Sequence, residues 1–73
     1  MPKTPRITAK KLVGVLLKNG FVFDRQRGSH ILLRSSDGKM TVIPMHAGII
    51  PIGTLKAILH DIDWTDDDLR SSV

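Results

Sequence analysis

The sequence predicts an α+β domain of order α-β-β-β-α, in which helices pack on one face of a three-stranded antiparallel sheet. Three observations carry this. Segments with apolar residues at helical spacing lie near both ends, three strand-like runs separated by turn signals lie between them, and 73 residues leave no room for a second core. One domain is expected over residues 1–73, with 1–6 flexible and 65–73 a short acidic tail or terminal helical turn.

Thr8 is placed to cap a helix that starts near Ala9 and runs to about Asn19. Its apolar face is read as Leu12, Val13, Leu16 and Leu17, with Lys10, Lys11 and Lys18 elsewhere on the surface. Gly14 costs about 1 kcal/mol of helix propensity relative to alanine, and is expected to allow close packing against a strand or a partner. Asn19-Gly20 supplies the stop, because both residues tolerate the left-handed conformation that follows a last turn.

Phe21 to about Gln26 and Ser29 to about Arg34 read as two strands, with a hairpin or bulge at Gly28. Ser36-Asp37-Gly38 is a turn, and a third strand runs from about Lys39 to Met45. Alternation along the second strand puts Ile31 and Leu33 on one face and His30, Leu32 and Arg34 on the other. Helices on the first face leave His30 and Arg34 looking outward together. Pro44 cannot donate to a ladder, so the third strand ends there. Leu55, Ile58, Leu59 and Ile62 then mark a second helix, and Thr65 with Asp68 resembles a capping box. Phe21, Phe23 and Trp64 are assigned to the core rather than to a stacking platform.

Charge is distributed unevenly. Residues 1–60 hold ten Lys and Arg against Asp24 and Asp37, a formal +8, while residues 61–73 hold five Asp against Arg70, a formal −4. A basic body raises the local concentration of nucleic acid without specifying its sequence. The absence of cysteine excludes a disulfide framework, thiolate zinc sites and a cysteine nucleophile. The first residues are polar and no long apolar run follows, so no secretory signal or membrane span is expected and a cytoplasmic setting fits.

Chemistry concentrates in Arg25-Gln26-Arg27-Gly28-Ser29-His30. Imidazole titrates near neutrality, and Arg25, Arg27 and Arg34 can hold an anion such as a phosphodiester beside it. Lys10, Lys11, Lys18 and Lys39 extend the cationic track. His46 ends the third strand and is the candidate second proton-transfer or substrate-positioning residue, with Ser29 as a positioning donor. His60 falls on the solvent side of the second helix. The three histidines are spaced by 16 and 14 residues, which matches no compact metal-ligand motif, so neither metal nor cofactor is expected.

Gly20-Phe21, Arg25-Gln26-Arg27-Gly28-Ser29-His30, Val42-Ile43-Pro44-Met45-His46 and Pro51-Ile52-Gly53-Thr54-Leu55, in that order and spacing, resemble the HicA (YcfA-like) toxin family of small mRNA interferases over about residues 7 to 62. The resemblance implies a fold like a double-stranded RNA-binding domain, ribonuclease activity on mRNA, and neutralisation by a HicB-type antitoxin, read here as covering the active site. Because RNA carries its own nucleophile in the 2′-hydroxyl, the cleavage is expected to be metal-independent. The resemblance also implies that His30, in the Gly-Ser-His motif, is the residue required for activity. The chain differs from the family's usual pattern in its apolar Gly48-Ile49-Ile50-Pro51-Ile52 connection, where exposed Ile49, Ile50 and Ile52 are read as a protein-docking surface. The competing reading is a non-catalytic RNA-binding module of similar fold, which would gain nothing from imidazole over lysine at position 30.

Overall fold

The computed structural model describes residues 5–73, so most of the expected flexible lead lies outside the described residues. Helix α1 (Ala9–Lys18) is followed by strands β1 (Phe21–Arg27), β2 (His30–Ser35) and β3 (Met40–Pro44), a 3₁₀ turn over Met45–Ala47, and helices α2 (Ile52–Asp61) and α3 (Asp66–Ser72). The sheet order is β1-β2-β3 with both pairings antiparallel. This is the α-β-β-β-α order of double-stranded RNA-binding domains with a short helix added.

The Thr8 hydroxyl accepts from the Lys11 amide at 3.1 Å, and the Asn19 side-chain amide donates to the Val15 carbonyl at 2.7 Å, so both ends of α1 are closed. Its buried stripe is Ala9, Leu12, Val15 and Leu16. Val13 is only partly buried and Leu17 is 46% exposed, contrary to the expected face. Each residue advances about 100° around a helix, so with Leu12 and Leu16 at the centre of the interface their successors turn aside. Gly14 does not serve close packing within the chain, since a Cβ there would meet nothing within 4 Å.

Central strand β2 sets the two faces of the sheet. Ile31 pairs with Ile43 and Leu33 with Thr41, and all four face the helices. The Thr41 hydroxyl, the polar member of that layer, lies 3.5 Å from an Asp61 carboxylate oxygen. Gly28 takes φ 59° at the first central position of the two-residue β1–β2 turn, a conformation that glycine adopts without steric cost. Phe21 is buried and meets Trp64 edge-to-face with ring centroids 6.3 Å apart, as a core assignment requires. Phe23 is a correction: it lies opposite Leu33 yet is 53% exposed, because β1 is an edge strand and the helices cover only its first residue.

The connection after β3 is tied to the segment before α1. The Ala9 amide donates to the Gly48 carbonyl at 2.8 Å and the Ile50 amide to the Ile7 carbonyl at 2.9 Å. This draws Ile50 into the core at 1% exposure, which corrects its place in the expected docking surface; Ile49 and Ile52 remain exposed. Leu55, Ile58, Leu59 and Ile62 are buried as their spacing requires. In α3 the Asp68 amide donates to the Thr65 hydroxyl and the Thr65 amide to the Asp68 carboxylate, a complete capping box.

Leu33 is fully buried on the central strand, so Leu33→Ala is expected to cost about 2–5 kcal/mol, measured by chemical denaturation. At the β2–β3 hairpin, the Ser35 hydroxyl and then the Lys39 ammonium hold the Asp37 carboxyl down to about 2. A depressed carboxyl stabilises the fold above its unfolded value of 3.8, and that contribution is lost as pH falls through about 2. Side-chain NMR should place the Asp37 midpoint near 2 in the native chain, and Ser35→Ala should move it upward.

Candidate active site on the open sheet face

Helices cover one side of the sheet and leave the other open. His30, Leu32 and Arg34 of β2 point to that open side, flanked by Pro44, Val42 and Met40 of β3. On β1 the register shifts between Phe23 and Arg25, leaving Asp24 as an extra residue in a β-bulge. The shift decides where the arginines go. Unbroken alternation from buried Phe21 would turn Arg25 and Arg27 toward the helices, whereas the bulge pairs Arg25 with Leu32 and Arg27 with His30 on the open face.

Arg25, Arg27, His30, Leu32 and Val42 together line a pocket of about 220 Å³. Its floor is aliphatic and its rim is cationic, with one imidazole. Asp24, whose side chain is 14% exposed, sits 3.7 Å from Arg25 Nε and 3.9 Å from Arg34 Nη1. Both guanidinium groups are half-exposed or more, so these pairs orient the arginines and contribute little stability.

Ser29 links the end of the β1–β2 turn to the 3₁₀ turn after β3. Its carbonyl accepts from the Met45 amide at 2.6 Å, and its hydroxyl lies 3.0 Å from His46 Nδ1. The His46 ring then stands edge-on to His30, with centroids 5.6 Å apart and an interplanar angle of 67°. Both histidines are exposed. Two imidazoles and two arginines therefore share one end of the open face, an arrangement able to hold a phosphate and move protons at its oxygens.

The other candidate residues lie apart from it. Lys10, Lys11 and Lys18 project from α1, where with Gly14, Val15, Ser72 and Val73 they line a separate groove of about 400 Å³. That groove holds cations but no proton-transfer group. Lys39 sits in the β2–β3 hairpin, paired with Asp37 at 3.0 Å at the opposite end of the sheet from His30. His60 is exposed on α2. Among the described residues no three His, Asp or Glu side chains converge as a metal site would require.

The sequence reading missed the Asp24 bulge and the Ser29–His46 contact. A signal for the first was present, since strict alternation over Phe21-Val22-Phe23-Asp24-Arg25-Gln26-Arg27 puts two guanidinium groups on the same side as buried Phe21, and burying unpaired charge is costly. No local pattern announces the second, because its partners are 17 residues apart.

No helix among the described residues is long and apolar enough to cross a membrane. Among curated proteins none matches the chain. The family model of the HicA toxin of bacterial toxin-antitoxin systems matches residues 9–64, a span that runs from the start of α1 to Trp64 and includes the whole open-face site. By that match the chain belongs to the HicA toxin family and is the toxin of a toxin–antitoxin system.

Proposed function

We propose that this toxin is a metal-independent endoribonuclease that cleaves mRNA in the cytoplasm, with His30 as its general acid/base. RNA carries its own nucleophile in the 2′-hydroxyl, so cleavage needs a group to move protons and cations to stabilise the crowded phosphorane. The observation that carries the reading is the placement of exposed His30 directly across from Arg27, in one pocket with Arg25. Arg25 and Arg27 grip the phosphate beside His30, and Arg34, four residues further along β2, holds the strand about 13 Å away. Lys10, Lys11, Lys18 and Lys39 act as an outlying electrostatic track, because none shares that pocket.

The partner that neutralises the toxin is a HicB-type antitoxin covering this same face. Val22, Met40 and Val42 are about half exposed there, between the arginines, and offer apolar area to a protein whose acidic groups pair with the rim.

The test is incubation of an unstructured RNA in EDTA with the wild type and with His30→Ala. The wild type should leave cyclic phosphate or 3′-phosphate ends, and His30→Ala should be slower by on the order of 10²- to 10⁴-fold while still binding. Arg25→Ala should weaken binding and lower the salt slope by about 0.7. Salt-sensitive binding with no cleavage by the wild type would replace this reading with that of a non-catalytic RNA-binding module.

A further inference from the structure

We infer that His46 is a second catalytic residue, giving a proton to the departing 5′-oxygen, and that Ser29 is the positioning residue that aims it. The inference rests on the ribonuclease reading of His30 and divides the proton transfers between two rings.

Ser29 holds His46 directly and also through its neighbour Met45. Its carbonyl accepts from the Met45 amide at 2.6 Å, which seats the 3₁₀ turn against the start of β2, and its hydroxyl occupies Nδ1 of the ring at 3.0 Å. Nε2 is left as the nitrogen able to serve a ligand. A hydroxyl accepts from Nδ1–H both when the ring is an imidazolium and after Nε2 has lost its proton, so the ring discharges without reorienting. With centroids 5.6 Å apart, the two exposed rings are close enough to address two oxygens of one phosphate.

The pocket assigns the roles. In-line displacement puts the attacking and leaving oxygens on opposite sides of phosphorus, so base and acid approach from different sides. His30 lines the aliphatic-floored pocket with Leu32 and Val42, which suits the nucleoside whose 2′-hydroxyl attacks. His46 lies outside that lining, on the 3₁₀ turn beyond the sheet, which suits the downstream nucleotide that departs with its 5′-oxygen. His30 takes the 2′-hydroxyl proton as the 2′-oxygen bonds to phosphorus. As the bond from phosphorus to the 5′-oxygen breaks, His46 Nε2 delivers its proton to that oxygen. The products are a 2′,3′-cyclic phosphate and a free 5′-hydroxyl.

A short RNA with sulfur in place of the bridging 5′-oxygen at its cleavage site tests this, because a thiolate leaves without being protonated. On ordinary RNA His46→Ala should be slower by on the order of 10²- to 10⁴-fold, and on the sulfur-bridged RNA it should approach the wild-type rate. His30→Ala should stay slow on both. Ser29→Ala should show a smaller loss with the same recovery on sulfur, and Ser29→Thr should restore the rate on ordinary RNA. Should His46→Ala not fold, His46→Gln carries the same comparison. The assignment is overturned if the His46 variant matches the wild type on ordinary RNA, or if it is equally impaired on both substrates. A wild type that cuts neither substrate overturns the ribonuclease reading itself, and this inference with it.

Discussion

One-sided burial of the central strand is the constraint on which the rest depends. Ile31 and Leu33 are drawn to the helices, Leu33 completely, and the period of two then sends His30, Leu32 and Arg34 outward. A one-residue slip would reverse both sets and place a histidine and an arginine under α1 and α2. The apolar contacts that stabilise the fold therefore also orient the side chains of the open face. His30 stands on a strand paired on both sides, so its backbone is held by two ladders rather than by a loop.

Two irregularities convert this frame into a site. The Asp24 bulge turns the remainder of β1 over, so that Arg25 and Arg27 join the open face instead of lying beneath the helices. Ser29 then ties the 3₁₀ turn to the β1–β2 turn and brings His46 against His30. Each costs little, because a bulge on an edge strand breaks few ladder bonds and a serine already at a turn makes the second contact with its own side chain. Regular secondary structure alone would leave the arginines and the second imidazole elsewhere.

Electrostatics separates the molecule into regions with different uses. The open face carries Arg25, Arg27 and Arg34 around an aliphatic strip, with Asp24 alone as a nearby carboxylate partner among the described ion pairs. The α1 lysines line a separate groove, outside the pocket that Arg25, Arg27 and His30 line. The acidic end of the chain is absorbed locally, with Asp66, Asp67 and Asp68 in the first turn of α3 complementing its dipole and Asp68 closing the capping box.

Local patterns determined much by themselves. The Thr8 cap, the Asn19-Gly20 stop, the strand order, the faces of β2, the buried positions of α2 and the Thr65–Asp68 box are all properties of neighbouring residues, and they stand as the sequence predicts. The Gly-Ser-His run led His30 into the second strand in the same way. What only the tertiary structure decided are contacts whose partners lie far apart: the face of Arg25 and Arg27, the exposure of Phe23 and Leu17, the burial of Ile50 through Ile7, and the Ser29–His46 pairing. Periodicity reports which way a side chain leaves its own backbone. How far a helix reaches across an edge strand, and which turn meets which, depends on packing the whole core at once.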